Sequence, residues 1–437
     1  MESKSVQIFL FHRDLRLIDH YGLEAAVAAA TKALILPVFI FTPEQVTEKN
    51  TLKSDNSVQF MLQSLKELAT TLRQKHTRLV LLFGDNIKCL EALRDELAAG
   101  GHKVTGITET KDYTPYAKKR EAAIKGWCSK AAIDYTTAHD LYLTEPGSIR
   151  TGTNRVFQKF TPYYETAKKM TVPKPRGLAV PAGKWFNPRS TAYKNEITIT
   201  AAYKHFLPKG LNPAVAVKGG RTEGLALLRG LPLNYDDIRD FPARRTSMLS
   251  AHNHFGTVSI REVFWSAKEA SPTRMAGFIR QLFWRDFHGA LMDNFEDLYG
   301  EEPYEFEGKA ALRGKTNDTA RKDFAAWKQG KTGHALVDAG MRQLLKTGYM
   351  HNRVRLVVAS YLVKDCNVYW RWGERFFAQH LVDYDATQNM MNWINVSSLA
   401  PFGMAPFRRH DPEASAKRLD PDNEYINTWQ ENDDVKN

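Results

Sequence analysis

Residues 332–393 constrain this chain more than any other stretch, because charged and amide side chains interrupt segments that otherwise read as core helix. Leu336, Val337, Met341, Leu344 and Leu345 recur at helical spacing, and 356–363 is almost wholly apolar, so both runs call for burial. Between them lie His351, Asn352, Arg353 and Arg355, and Asp383, Asp385 and Asn389 follow. A buried charge without a partner is strongly destabilising, so these groups must neutralise one another or enclose a polar guest. One arrangement has both acids simply neutralising Arg353 and Arg355. The other, suggested by Trp370, Trp372 and Trp393 close by, is a large polar guest capable of redox chemistry.

The first third of the chain has a different rhythm. Short β-rich runs at 6–11, 33–41, 79–83 and 104–108 alternate with amphipathic stretches, of which Val58, Met61, Leu62, Leu65 and Leu68 form the clearest helical stripe. Strands alternating with helices predict an α/β domain with a parallel, Rossmann-like sheet. No Gly-x-Gly-x-x-Gly is present, so the usual dinucleotide fingerprint is missing. From about 135 to 211 the periodicity fades and prolines at 162, 173, 175, 181, 188 and 208 break it. The expected organisation is an α/β domain over 1–134, a surface linker over 135–211 and an all-helical domain over 212–437.

The three cysteines, Cys89, Cys128 and Cys366, are isolated, which supports neither a disulfide framework nor a cysteine-bound metal. No metal-ligand spacing occurs elsewhere. The net charge of +12 favours a polyanionic partner. With no apolar run long enough to span a membrane and no signal-peptide pattern, the expectation is a soluble protein of a reducing compartment.

Several motifs, in order along nearly the whole chain, resemble the photolyase/cryptochrome family of flavoproteins. They are FLFHRDLRL at 9–17, VFQKFTPYY at 156–164, YDDIRDFP at 235–242, TSMLSAHNHFGTVS at 246–259, FWRDF at 283–287, the 332–393 segment and LDPDNEYI near the C-terminus. The resemblance implies an N-terminal antenna domain and a helical domain holding FAD in a folded conformation. It implies cofactor contacts at Tyr235, Thr246, Ser247, Met248, Leu249, Ser250, Arg285, Arg355, Asp383, Asp385 and Asn389. The hydroxyls of Thr246, Ser247 and Ser250 suit a pyrophosphate at a helix N-terminus, and an ordinary N-cap explains them equally well. Asn389 matches the residue facing flavin N5. Trp393 and Trp370 match the first two members of a tryptophan relay, while the position of the third is taken by Asn317, so that a tyrosine or Trp372 would have to end it.

For the substrate, the resemblance implies ultraviolet-damaged DNA with a dipyrimidine lesion flipped into a pocket. Gln281, Trp284, Asn352, Arg353, Leu356 and Asn395 match pocket positions, and Arg408 or Arg409 would meet backbone phosphate. Gln281, Leu356 and Asn395 depart from the cyclobutane-dimer pattern, and Asn395 removes one stacking indole. The His351-containing motif nevertheless favours the cyclobutane dimer over the (6-4) photoproduct. A cryptochrome photoreceptor that has lost repair is the rival reading, and the short stretch after LDPDNEYI weighs against it. A folate or deazaflavin antenna is open, with Glu109 either a contact for it or a plain surface acid. The expected protein is a DNA-associated monomer of the cytoplasm or nucleus.

Overall fold

The computed structural model describes residues 3–300, 314–399 and 408–430. Five parallel strands, β1 (Ser5–Phe11), β2 (Leu34–Phe41), β3 (Val80–Phe83), β4 (Lys103–Thr110) and β5 (Asp134–Ala138), form one sheet in the order β3-β2-β1-β4-β5. From Val6 onward every β1 residue is buried, as a strand covered on both faces requires. The crossover helices supply that cover. Asp55–Arg73, Asn86–Ala99 and Pro115–Lys130 each start on a capping side chain, Ser54, Asp85 and Thr114, which accepts from the N–H of Ser57, Lys88 and Ala117. The winding reverses between β1 and β4, so a crevice opens beyond the carboxyl ends of these strands.

Two expectations need correction. The boundary at 134/135 cuts through β5, whose DYTTA sequence is half-exposed at the sheet edge and has no apolar run. The 135–211 segment is also more than a surface linker. It contains the helices Phe160–Ala167 and Ile199–Phe206, and it buries Phe160, Tyr163, Trp185, Phe186 and Phe206. Backbone bonds from Ile35 N–H to Lys184 and from Phe186 N–H to Ile35 tie it to β2. Its prolines prevent long helices without preventing packing.

After Asn212 the regular elements of the described residues are helices. The longest helix, Ala276–Asn294, packs on Ala386–Val396, which also touches Trp370–His380 and Asn352–Ser360. The apolar stripe read around 336–345 is confirmed at Leu336, Val337, Met341 and Leu344, whereas Leu345 faces solvent. Buried ions lock this half to the sheet: Arg261 meets Asp19 at 2.9 Å and Asp140 at 2.5 Å, and Arg16 pairs with the same Asp140. Among the described residues no helix is long and apolar enough to cross a membrane, and no group of acid, His or Cys side chains is arranged to hold a metal.

Candidate functional site

The polar residues of 351–389 do not merge into one cluster. Arg355 Nη2 donates to both oxygens of Asp383, at 3.1 and 2.9 Å, and its Nε donates to the Met350 carbonyl at 2.8 Å. Its Nη1 has no partner among the described residues and remains available to a guest. Arg353 pairs instead with Asp240 at 2.6 Å, and Asn352 is exposed at the start of its helix.

Asp385 is elsewhere. It was expected beside Arg355 and Asp383; it lies against Arg13, which follows β1, at 3.0 Å, and against His254, also at 3.0 Å. Its other oxygen accepts from Gln388 N–H and caps the Ala386–Val396 helix. Burial pushes its carboxyl up, but Arg13, His254 and Arg285 overcome this and hold it far below the usual carboxylate range. Burial, with Arg13, lowers His254, so that imidazole is neutral at pH 7. Asp385 is thus a structural joint between the two halves, and three partners leave it little capacity for a cofactor. Arg285 is similarly engaged, with Nη1 donating to the Leu141 carbonyl at 2.6 Å and Nη2 to that of Asn253 at 3.2 Å.

Asn389 is buried, and its Nδ2 donates to the Glu374 carbonyl at 3.2 Å and to Glu374 Oε1 at 3.0 Å. Two acceptors on one side settle which end of the amide is the NH2 group. Oδ1 therefore points away from Glu374 as an acceptor with no partner among the described residues. On the loop before Ser250–Phe255, Leu249 occupies the N-cap without a side-chain bond, Ser247 Oγ accepts from Leu249 N–H at 3.5 Å, and the Thr246 side chain hydrogen-bonds Tyr349. Met248 has a left-handed φ of 55° there, an uncommon backbone for that residue. The helix has only six residues, so a phosphate would depend on these hydroxyls and single N–H groups rather than on a helix dipole. Beside them Asn253 Oδ1 is buried without a partner. Tyr235 opens the short Tyr235–Ile238 helix and packs edge-on to Phe278 at 5.3 Å. A free acceptor, a free guanidinium N–H, the hydroxyls of this loop and an orphaned amide oxygen fit a guest with both ring-edge N–H groups and phosphates. FAD is such a guest.

Gln281 and Trp284 lie one turn apart on Ala276–Asn294. Gln281 Nε2 donates to the Gly277 carbonyl at 3.4 Å, and Oε1 has no hydrogen-bond partner among the described residues. Phe160 stacks on one face of Trp284 at 3.7 Å and 11°. Leu356 and Asn395 are half-buried on neighbouring helices. Arg408 is exposed, and Arg409 pairs with Asp365 and Asp411.

Trp393 is buried, with its ring over Gly373, where an added Cβ would lie 2.2 Å from Cη2. Its ring neighbours are Phe377 at 5.2 Å and Trp327 at 6.3 Å. The expected neighbour Trp370 makes no ring contact with it. Sequence spacing did not single out Trp327, Glu374, Arg13 or His254. Their partners are too distant along the chain for periodicity to reveal, although a buried Trp327 on an otherwise polar helix was a readable signal.

A cavity of about 460 Å³ occupies the crevice beyond β1 and β4 and is lined by His12, Arg13, Asp112, Tyr116 and Arg120 from the sheet side and by His254, Tyr299 and Tyr384 from the helices. Glu109 is neither at its surface nor exposed. It is buried against His12 at 2.5 Å, Tyr135 at 2.5 Å and Arg120 at 3.6 Å. Arg120 Nε and Nη2 are buried without hydrogen bonds.

Comparison with known proteins gives a consistent answer. The model of the DNA photolyase family matches residues 7–181, and that of the FAD binding domain of DNA photolyase matches 278–433. The chain is 32% identical to the deoxyribodipyrimidine photo-lyase of Streptomyces griseus, over 97% of this chain and 89% of that protein. It is 30% identical to that of Halobacterium salinarum, over 96% and 88%. Among solved structures it is similar to the archaeal photolyase from Sulfolobus tokodaii with two FAD molecules, at TM-score 0.83 and 34% identity, over 98% of this chain and 90% of that one. The Synechocystis cryptochrome, at TM-score 0.84 and 22% identity, covering 98% and 89%, shares the fold. The chain belongs to the DNA photolyase family.

Proposed function

We propose that this protein uses light to repair ultraviolet-damaged DNA, splitting the ring bonds of a cyclobutane pyrimidine dimer. The observation that carries this reading is the orientation of Asn389. With its NH2 held by Glu374, Oδ1 is a fixed acceptor at the position that matches flavin N5 in the family. An acceptor there favours the reduced ring, which carries an N–H. Bound FAD would supply one electron to the lesion on excitation and recover it, with no net oxidation.

Arg355, braced by Asp383, offers Nη1 to the ring edge. Tyr235 and the 246–250 loop hold the phosphate end. Trp284 offers its uncovered face to a flipped base, Gln281 its Oε1 to a base N–H, and Asn352 and Arg353 line the rim. Flipping costs a few kcal/mol, roughly, and less for a distorted pair, so one good stacking face and two or three hydrogen bonds offset it. Arg408, exposed and close to that rim in sequence motif, reaches for phosphate. Arg409 must first leave Asp365 to do so.

The test is to load the protein with FAD, reduce it chemically and illuminate it with oligonucleotides carrying one lesion type each. Restored bases from the cyclobutane dimer are expected. Restoration of the (6-4) product alone would reassign the lesion. Restoration of neither would leave the photoreceptor reading, which the Gln281, Leu356 and Asn395 departures favour.

The cavity at the strand ends supports a second chromophore. Tyrosines and imidazoles line it, and Arg120 Nη2, buried without a hydrogen bond, suits a ligand bearing an anionic group. Adding FAD, a folate or a deazaflavin and recording which one shifts its absorption identifies it. We further propose a monomer acting on DNA in the cytoplasm or nucleus; the molar mass in light scattering, 49.7 kDa for one chain, tests the first point.

A further inference from the structure

We infer that His288 is a contact for the adenosine end of bound FAD, with Nε2 accepting a hydrogen bond from it, a role that rests on the flavin reading above. The imidazole is buried, and its Nδ1 lies 2.9 Å from Gln388 Oε1. Gln388 Nε2 donates to the Arg285 carbonyl at 3.0 Å, so this amide cannot turn round without setting two oxygens against each other. Oε1 therefore accepts, and Nδ1 carries the ring proton. Burial pushes the imidazole down to about 4, against Gln388 and Asp385, so it is neutral at pH 7. Nε2, on the far side of the ring from Gln388, is then a bare lone pair, and it is buried without a hydrogen-bond partner.

A buried acceptor without a donor is costly, and a filled site is expected to supply the donor. His288 stands among residues already given to the guest. Its ring is 5.6 Å from that of Trp284, one turn earlier on Ala276–Asn294, and its partner Gln388 directly precedes Asn389. A second orphaned acceptor, Asn253 Oδ1, lies on the helix that follows the 246–250 loop. Arg285 ties the two places together: Nη2 donates to the Asn253 carbonyl at 3.2 Å, and its own carbonyl accepts from Gln388.

On the flavin reading, Asn389 and Arg355 serve the ring edge and the 246–250 loop serves the phosphates. The adenosine end is left, with an exocyclic amine and ribose hydroxyls as donors and His288 as their acceptor. Substitution separates the two ring nitrogens. His288→Asn puts an amide where Nδ1 was and loses the far acceptor, whereas His288→Gln puts an amide oxygen near the Nε2 position.

The experiment titrates full-length wild type, H288N and H288Q with FAD, FMN and flavin hypoxanthine dinucleotide, reading bound flavin by fluorescence. H288N is expected to bind FAD about tenfold more weakly, the worth of one hydrogen bond to a buried acceptor, with H288Q within about threefold of wild type. FMN, which has the ribityl hydroxyls but no adenosine, should bind all three proteins alike. In the wild type, a weaker hypoxanthine analogue assigns the bond to the amine, and equal affinity for both dinucleotides assigns it to a ribose hydroxyl. Wild-type affinity for FAD in H288N, or an equal loss for FMN, overturns the role. So does a loss in H288Q as large as in H288N or larger, the order expected if His288 only braces Gln388. Wild type that takes up no FAD overturns the flavin reading itself, whereas wild type that binds FAD alongside the wrong variant pattern overturns only the part given to His288.

Discussion

Glu374 fixes the direction of Asn389: both acceptors on Glu374 lie within 3.2 Å of the amide nitrogen, so the carbonyl oxygen must face the other way. The carboxyl is buried, and burial raises its pKa, with Arg371 and Asn389 opposing. Glu374→Leu removes the side-chain acceptor and leaves only the 374 carbonyl to hold the amide, at some cost in stability because buried Arg371 loses an opposing carboxyl. The expected outcome is a flavin harder to reduce by about the worth of one hydrogen bond, ~1 kcal/mol. A redox titration of the loaded protein measures it. Glu374→Gln, able to donate to Oδ1 and turn the amide round, should give the same sign.

Arg13 and Asp385 join the first loop of the sheet to the helical half across 372 positions. Arg13→Ala leaves Asp385 buried with only His254 and a backbone N–H, and His254 is neutral. Removing one partner of a buried pair typically costs about 3–5 kcal/mol. Urea unfolding should show that loss. A drop below ~1 kcal/mol would mean that His254 takes up a proton and replaces the arginine, which the pH dependence of the variant would reveal.

Much of this architecture was legible because each half follows one period. Four strands were readable as apolar runs, and the Leu336–Leu344 stripe marked a core helix. β5 escaped because an edge strand needs little apolar surface. Phe160 and Tyr163 escaped because prolines break the pattern around them while their side chains still enter the core. At the site, the Arg355–Asp383 pair followed from the motif, and Asp385 did not, since its partner comes from the other domain. No spacing rule could choose between Trp370 and Trp327 as the neighbour of Trp393, because ring contact depends on how helices cross.

Gly373→Ala tests the seat of Trp393. In a helix the change should stabilise by about 1 kcal/mol. Here the new methyl would meet Trp393 Cη2 at 2.2 Å and Leu362 Cδ2 at 2.7 Å, contacts that force the ring to move. Overpacking of this kind costs roughly 1–3 kcal/mol. A net loss in thermal stability with altered Trp393 emission is expected, and a gain in stability would show that the ring has room.

Asp286 gives a pH prediction. Its carboxyl is buried, and burial pushes its pKa up to about 7, against Arg285 and the Thr144 hydrogen bonds. Thr144 N–H and hydroxyl both donate to Oδ2, and Oδ1 has no partner. The folded state therefore keeps a proton that the unfolded chain loses near pH 4. Between these values the native state binds more protons, so stability falls as pH rises from about 4 to 7, by roughly 2–4 kcal/mol. Asp286→Asn keeps an acceptor for Thr144 and should flatten this slope, leaving the variant more stable than wild type at pH 8. Denaturation midpoints across the range decide it, and parallel slopes would show that Asp286 ionises normally.

The lesion pocket is tested by removing one stacking face and restoring another. Phe160 covers one side of Trp284 at 3.7 Å, so a base can use only the other. Trp284→Ala should weaken binding of damaged oligonucleotides by about 1–3 kcal/mol while undamaged DNA, held through phosphates, binds as before. Asn395, half-buried on the facing helix, stands where a second indole is expected for dimer recognition. Asn395→Trp should therefore tighten binding of the cyclobutane dimer by up to about tenfold, with no effect on undamaged duplex. Competition binding with matched damaged and undamaged oligonucleotides separates the two terms. Equal weakening for both DNAs in Trp284→Ala would place that indole outside the pocket, and the stacking argument for Asn395 would lose its basis.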